Sequence, residues 1–293
     1  MLSGFIPLNK PPGITSQQAV ARIRRLPGVK KAGHTGTLDP AAQGLLLVAI
    51  NRATRLSEYF LRSDKGYRAE IFFGVATDTG DREGNEVARQ DDFFLSTDAV
   101  AAVLKRFQGT ITQVPPAASA VKIAGKRAYQ LFRQGKKPNL PPRQVHIKSI
   151  VPVHLSALTP AAPLLTVDIV CSSGTYIRSL AADIGNALGV PAHLAALTRT
   201  RIADITLGQA ATFADLEEDI APWLLEMETA VASLPQLRLS GDQATRFVHG
   251  GQLRAPGFQG EVAVFWGTKL LGIALAQGEI IKPIKVLTQE KCQ

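Results

Sequence analysis

The chain has 293 residues, of which 45% are hydrophobic and 19% charged, and its formal net charge is +9. This is a globular composition, long enough for one large domain and a small one. No apolar run approaches the ~20 residues that a membrane helix needs, and residues 1–13 lack the charged start and apolar centre of a secretory signal. We therefore expect a cytoplasmic protein without a membrane anchor.

Cysteine and histidine usage predicts neither a disulfide framework nor a metal site. Cys171 and Cys292 are far apart and have no paired spacing. The five histidines form no ligand pattern either; they are His34, His146, His154, His193 and His249.

The first predicted elements lie in Leu8–Leu26, which reads LNKPPGITSQQAVARIRRL. The Pro-Pro-Gly triplet predicts a turn. Thr15 or Ser16 can then cap a helix that has Val20 and Ile23 on its buried side.

The next stretch, Lys31–Ala49, reads KAGHTGTLDPAAQGLLLVA and joins a glycine-rich loop to an apolar run. The run predicts a short buried strand or helix, so the loop before it, with His34 and Asp39, is expected to be held rigidly. Pro40 biases Asp39 toward an extended conformation, which presents a carboxylate at the end of a stiff turn. On local chemistry alone, an ordinary turn residue or a helix N-cap is the more common role of such an aspartate.

A half-buried strand is predicted from Tyr67, because apolar residues alternate with polar ones in KGYRAEIFFG. A strand aromatic such as Tyr67 usually fills the core. The following ATDTGDREGNE is a polar, turn-rich loop that either faces a ligand or is simply solvated.

A capped helix is predicted over Ser96–Phe107, and a strongly basic window overlaps it. Between Ala99 and Val167 there is no acidic residue, whereas ten lysines and arginines occur there. Phosphate contacts are the simplest use of such one-signed charge, although a solvated basic face is the ordinary alternative. The cations proposed to contact an RNA backbone are Lys122, Lys126, Arg127 and Arg133.

Leu164–Cys171 alternates as a strand, and CSSGTYIRSL follows it. Residues 173–175 can cap a helix with apolar residues on one face. This places Tyr176 and Arg178 near a helix N-terminus, where an anion is favoured, either a phosphate or the Asp39 carboxylate.

The composition changes at Phe213–Leu237, which contains six acids and no lysine or arginine. We expect this segment to be a linker, or alternatively an acidic helix packed on the preceding domain. Short alternating strands after Arg238 predict a small β-barrel.

Four motifs, in order, resemble those of the TruB-type pseudouridine synthases, which modify position 55 of tRNA. They are KPPGITS, GHTGTLDPAAQG, KGYR and GTYIRSL, and the resemblance runs from about Leu8 to Leu207. Asn9 departs from the usual Asp of the first motif. TRTRIADITL departs from the usual Arg-Arg-Thr and Gly pattern.

The resemblance implies roles for individual residues. Asp39 corresponds to the catalytic nucleophile and Arg178 to the arginine that pairs with it. Tyr67 corresponds to the tyrosine that stacks on the target uracil, and it is the nearest candidate for accepting the C5 proton.

The resemblance also implies four substrate contacts. His34 would move into the space that the flipped base leaves. Lys10 and Tyr176 would lie at the pocket, and Leu197 would form an apolar wall.

The implied fold is α+β. It has a catalytic domain over residues 1–233, with a mixed, largely antiparallel sheet flanked by helices, and a small C-terminal β-barrel over residues 234–293 that looks like a PUA-type RNA-binding domain. The implied activity is isomerisation of one uridine in the tRNA T-loop by base flipping, without metal or organic cofactor. The expected partner is the T-arm of tRNA, with no obligate protein partner and a monomeric chain.

Three alternatives remain from sequence. One is a non-catalytic tRNA-binding or tRNA-folding protein, and a second is a synthase that depends on a guide RNA. A glycosidase is more distant, since such enzymes usually need paired carboxylates and none is evident near Asp39.

Overall fold

The computed structural model describes residues 2–119, 121–123, 125–136 and 139–288. The strands in these ranges are β1 (Gly4–Lys10), β2 (Ala32–His34), β3 (Gln43–Ile50), β4 (Lys65–Phe73), β5 (Val75–Thr77), β6 (Glu86–Arg89), β7 (Gly109–Gln113), β8 (Lys122–Ile123), β9 (Lys126–Arg127), β10 (Arg143–Pro152), β11 (Leu164–Cys171), β12 (Ala192–Ile202), β13 (Ile205–Thr206), β14 (Gln236–Arg238), β15 (Leu253–Arg254), β16 (Gly260–Trp266), β17 (Lys269–Gln277) and β18 (Ile280–Val286). The helices are α1 (Ser16–Ile23), α2 (Ser57–Arg62), α3 (Thr97–Arg106), α4 (Ala128–Arg133), α5 (Ile177–Leu188), α6 (Phe213–Glu218) and α7 (Gly241–Val248). Over these ranges, no helix has both the length and the apolar character to cross a membrane.

The large sheet has the strand order β1-β3-β12-β4-β11-β10-β7, with β2 added on β3 and β13 on β12. Its pairs are antiparallel except β3 with β12, which are parallel. Apolar residues of α3 and α5 pack on strands β4, β10 and β11 in one core cluster. Helix α1 packs on β1 and β3 in another. The predicted α+β fold with a mixed, largely antiparallel sheet is confirmed.

Strand β3 shows why the apolar run of the sequence is continuous rather than alternating. Every residue of Leu45–Ile50 is 0% exposed. Leu45, Leu47 and Ala49 belong to the core cluster that also includes residues of the C-terminal sheet, whereas Leu46, Val48 and Ile50 belong to the cluster of α1. A strand buried on both faces needs apolar side chains at every position, and it fixes the end of the glycine-rich loop before it.

The C-terminal strands form a curled five-stranded sheet, in the order β14-β16-β17-β18-β15. Strands β14 and β15 end this order, so the predicted small barrel is a half-barrel.

The acidic segment before this sheet is packed, as the second of our two interpretations expected. Leu225 of this segment forms a bridge with Phe5 of β1. The backbone N–H of Phe5 donates to the Leu225 carbonyl at 2.9 Å, so the segment is attached to the large sheet rather than being a free linker.

The start of helix α5 differs from the prediction. Its N-cap residue is Tyr176, which makes no side-chain cap, while the Thr175 hydroxyl donates to the Ser172 carbonyl at 3.0 Å. The side chain of Gln113 instead accepts from the Tyr176 N–H at 2.8 Å and donates to the Tyr176 carbonyl at 3.0 Å. A residue from strand β7 thus supplies the cap that the local sequence lacks.

Candidate active site

The glycine-rich loop between β2 and β3 is fixed at several backbone positions. The hydroxyl of Ser16 donates to the Leu38 carbonyl at 2.8 Å and accepts from the Leu38 N–H at 2.8 Å. The Thr35 N–H donates to the Leu47 carbonyl at 2.9 Å, and the Gly13 N–H donates to the Pro40 carbonyl at 2.9 Å. These contacts hold the segment that carries Asp39 against β3 and the start of α1.

The ammonium of Lys10 is bound within the protein. The residue is 0% exposed, and its ammonium donates to the carbonyls of Pro11 at 2.8 Å, Ile14 at 2.9 Å and Pro40 at 3.3 Å. An ammonium has three donors, and all three are used within the protein. Lys10 therefore holds the loop next to Asp39; the substrate contact that the resemblance implies for it stays a prediction.

Asp39 and Arg178 form an ion pair, with the Arg178 Nε 3.1 Å from the Asp39 Oδ2. The two side chains differ in exposure: 44% for Asp39 and 7% for Arg178. A second carboxylate, Asp81, lies 3.3 Å from the Arg178 Nη1. The carboxylate of Asp39 is thus oriented by a buried cation and still open to an incoming molecule.

The remaining donors of Arg178 bind backbone carbonyls. Nη1 donates to Thr79 at 3.2 Å and Nη2 donates to Ala118 at 3.0 Å. Asp81 is held in turn, because its Oδ1 accepts from the Thr79 hydroxyl at 2.7 Å and from the Glu83 N–H at 3.1 Å. The guanidinium is therefore fixed from several directions.

A cleft opens beside this ion pair. Its lining consists of Asp39, Ala41, Ala42, Asp81, Arg82, Arg178 and Leu194–Leu197. Leu197 lies in the wall of this cleft, and its role as a wall of the substrate pocket stays a prediction. Asp39 and Arg178 also belong to this lining, whereas Lys10, His34, Tyr67 and Tyr176 do not.

Tyr67 lies on β4 and packs against the main core cluster. Burial raises the pKa of its hydroxyl, while the charge of Arg199 and a side-chain hydrogen bond from it oppose this effect; the Asp39 carboxylate raises it slightly further. Tyr67 is thus a neutral phenol that shares its surroundings with Asp39.

His34 ends strand β2 and is partly buried. Burial lowers its pKa, and the charge of Arg199 lowers it further, so the imidazole is neutral at pH 7. Its buried Nδ1 has no hydrogen-bond partner. In the part of the chain that the structure describes, no group of three His, Cys, Asp or Glu could hold a metal ion.

Tyr176 lies at the start of α5, and the Arg143 guanidinium stacks over its ring at 4.5 Å. Arg133 is an exposed residue of α4 and lies over the ring of Tyr129 at 5.7 Å.

The other three predicted RNA contacts lie in the short hairpin formed by β8 and β9. The backbone of Lys122, Lys126 and Arg127 is placed there, and their side chains lie outside the described part.

Sequence reasoning missed Asp81 and Arg199. Asp81 had been read as part of a solvated or ligand-facing loop. Arg199 is 1% exposed in the centre of β12. Its position inside an otherwise strand-like segment was the one sequence signal for its burial, but an arginine in a strand is most often exposed.

Two family models match consecutive parts of the chain. The N-terminal domain of TruB family pseudouridylate synthases matches residues 24–177. The C-terminal domain of tRNA pseudouridylate synthase B matches residues 178–238. The chain belongs to the TruB family of pseudouridylate synthases.

Similar proteins agree with this membership. A protein named tRNA pseudouridine synthase B from Symbiobacterium thermophilum is 49% identical over 250 residues, which cover 85% of this chain and 82% of the relative. One of the same name from Dechloromonas aromatica is 43% identical over 277 residues, which cover 93% and 91%. A solved structure of a Cbf5-Nop10-Gar1 complex contains a chain with TM-score 0.75 and 27% identity, and the match covers 97% of this chain and 85% of that one.

These findings confirm the family that the four motifs indicated. They also confirm the enzyme class, a pseudouridine synthase.

Proposed function

We propose that this TruB-family enzyme isomerises the uridine at position 55 in the T-loop of tRNA to pseudouridine, with Asp39 as nucleophile. It acts alone, as a cytoplasmic monomer that binds the T-arm. The curated relatives that carry the name tRNA pseudouridine synthase B support the substrate class.

One observation carries the proposal: an exposed carboxylate held by a buried guanidinium at the edge of a cleft. The reaction breaks the C1'–N1 bond, turns the uracil while it stays bound, and joins C5 to C1'. The C5 proton is lost and N1 gains one, so the overall composition does not change. Arg178 keeps the Asp39 carboxylate oriented toward the reacting nucleotide, which contributes to the rate through orientation.

The target base lies inside a folded RNA loop and must be flipped out, at a cost of a few kcal/mol. Stacking of a base on an aromatic ring recovers ~1 to 3 kcal/mol. Tyr67 supplies that ring, and Leu197 supplies an apolar wall. The neutral ring of His34 suits the space that the base leaves.

The RNA backbone is held by the basic window. Lys122, Lys126, Arg127 and Arg133 provide phosphate contacts, and residues 234–293 form a PUA-like RNA-binding domain that follows the catalytic domain of residues 1–233. Counterion release makes such binding weaken with salt.

The test is tritium release from a tRNA transcript labelled at uracil C5, with the purified chain alone. The wild type is expected to release one equivalent, and Asp39→Asn none. Asp98→Asn is the matched control, because Asp98 is exposed in the first turn of α3, away from the cleft. A transcript with cytidine at position 55 should release nothing from that site.

A guide-dependent synthase is the second candidate. A chain in a structure of an H/ACA RNP bound to a substrate RNA has TM-score 0.74 and 26% identity to this one. Activity that appears only after a second RNA or protein is added would favour it. Tight tRNA binding without tritium release under either condition would favour a non-catalytic binding protein.

A further inference from the structure

Arg199 occupies the centre of the large sheet. In the register of β12 it is paired with Tyr67 of β4 on one side and with Gly44 of β3 on the other. Gly44 has a φ of +100°, and a Cβ there would lie 2.4 Å from the Arg199 carbonyl oxygen. Glycine at this position lets β12 approach the end of the loop that carries Asp39.

The guanidinium of Arg199 binds backbone on both sides of Asp39. Its Nε donates to the Leu45 carbonyl at 2.7 Å, Nη1 to Thr37 at 3.1 Å and Nη2 to Gly36 at 3.2 Å. Each guanidinium nitrogen therefore binds one backbone carbonyl, at a position either before or after Asp39.

This cation is buried without an anionic partner. It is 1% exposed, and the ion pairs found among the described residues do not include it. A buried charge is costly unless its donors are satisfied. Three carbonyls reduce that cost, but a neutral side chain would avoid it altogether.

The charge of Arg199 reaches the other groups of the site. It lowers the pKa of His34 and of Lys10, in both cases as the second cause after burial. The groups that affect the Tyr67 hydroxyl are Arg199 from β12, Cys171 from β11 and Asp39 from the loop. Arg199 is the cation among these three.

We propose that Arg199 is a positioning residue for the isomerisation. Its guanidinium holds the Asp39 loop and also orients the hydroxyl of Tyr67. This role rests on the proposed function. One rigid fork sets the distance between the nucleophile loop and the tyrosine, and a displacement of about 1 Å can slow an enzyme about 100-fold.

The experiment compares Arg199→Met and Arg199→Lys with wild type in single-turnover pseudouridine formation and in tRNA binding. Arg201→Met is the matched control, because Arg201 lies two residues further along the same strand and its guanidinium donates to the Ala203 carbonyl, at 2.9 Å, rather than to the Asp39 loop. We expect Arg199→Met to lose about 100-fold in rate while tRNA affinity stays near that of wild type. Arg199→Lys should recover part of the rate, since one ammonium cannot reach all three carbonyls.

Two further readouts separate this role from a merely structural one. In the Tyr67→Phe background, Arg199→Met should reduce the single-turnover rate by a clearly smaller factor than in wild type, because the two residues act together. With carbon-13 in the tyrosine Cζ atoms, the resonance of Tyr67, one of four tyrosines, should move in Arg199→Met and stay in place in Arg201→Met.

A folded Arg199→Met enzyme with the wild-type rate, additive losses in the double variant, or an unmoved Tyr67 resonance would each overturn the proposal. If circular dichroism shows that Arg199→Met is unfolded, the same comparisons are made with Arg199→Lys, and their results decide whether the proposal stands. The Tyr67 resonance requires no turnover. An inactive wild type would thus refute the proposed function and leave the test of Arg199 intact.

Discussion

The ion pair of Asp39 and Arg178 joins an accessible anion to a buried cation. Exposure of the carboxylate leaves it free to meet a substrate, whereas burial of the guanidinium strengthens the orienting interaction. Asp81 binds the same guanidinium at 3.3 Å, so the cation is shared by two carboxylates. At the scale of single residues, the site is a half-exposed carboxylate held by a guanidinium that is only 7% exposed.

Lys10 gives a prediction for pH dependence. Burial, and secondly the charge of Arg199, lower its pKa from 10.5 to about 8, against the opposing effect of Asp39. Between these two values the unfolded chain holds the proton and the folded chain does not, so this group's contribution to the free energy of unfolding rises with pH.

The measurement is urea denaturation of wild type and Lys10→Met at several pH values. The free energy of unfolding of wild type minus that of the variant should increase above about pH 8, by at most about 1.4 kcal/mol per pH unit. Lys105 is an exposed residue of α3. The free energy of unfolding of wild type minus that of Lys105→Met should therefore not change with pH. A Lys10 difference that is constant or falls with pH would contradict the assignment.

Helix α5 positions Arg178, and the start of this helix is set from another element. Gln113 is 1% exposed, and its amide binds both the N–H and the carbonyl of Tyr176. Helix N-termini leave backbone N–H groups unpaired, and a side chain from β7 satisfies one here. The strand thereby determines where Arg178 lies.

We predict that Gln113→Met lowers the free energy of unfolding by about 1 to 3 kcal/mol, the cost of leaving a buried polar group unpaired. Turnover should fall as well, because the first turn of α5 is released. Gln108→Met is the control, since Gln108 is exposed and such a change stays within about 0.5 kcal/mol. Urea denaturation and the tritium assay measure the two effects, and equal stability of the two variants would refute the capping role.

At the scale of the whole molecule, the two sheets share one core cluster. Phe5 and Leu47 of the large sheet pack in the same cluster as Phe265 and Ile273 of the C-terminal sheet. The Lys285 ammonium also donates to the Arg55 carbonyl at 2.9 Å. We therefore expect the two sheets to unfold together.

Ile273→Ala tests this expectation. The side chain is 0% exposed, so its truncation should cost about 2 to 5 kcal/mol. Ile284→Ala, at a position that is 42% exposed in the same half-barrel, should cost less than about 0.5 kcal/mol.

The two tryptophans provide the readout, because Trp223 belongs to the acidic segment and Trp266 to β16. Fluorescence in Trp223→Phe and Trp266→Phe backgrounds then follows each unit separately. Ile273→Ala should shift both urea transitions by the same amount. Movement of the Trp266 transition alone would show that the units unfold independently.

Much of this organisation is local in the sequence. The apolar run of β3, the alternation in β4 and β11, and the Ser96 cap of α3 follow from burial and capping rules that act over a few residues. The four motifs identified the family, and they singled out Asp39 and Arg178, which lie 3.1 Å apart. For α5 the local rule failed, because the side chain of Gln113 in β7 makes the capping hydrogen bonds with the Tyr176 backbone.

The sequence by itself thus determined many of the elements, the family and the carboxylate that we propose as nucleophile. Only the tertiary structure decided how that carboxylate is held. Lys10 reaches the Pro40 carbonyl across 30 positions of the chain, and Arg199 reaches Thr37 across 162. Every residue has the same backbone carbonyl, so a side-chain pattern cannot predict which carbonyls a buried cation will bind. The packing of the strands determines those partners.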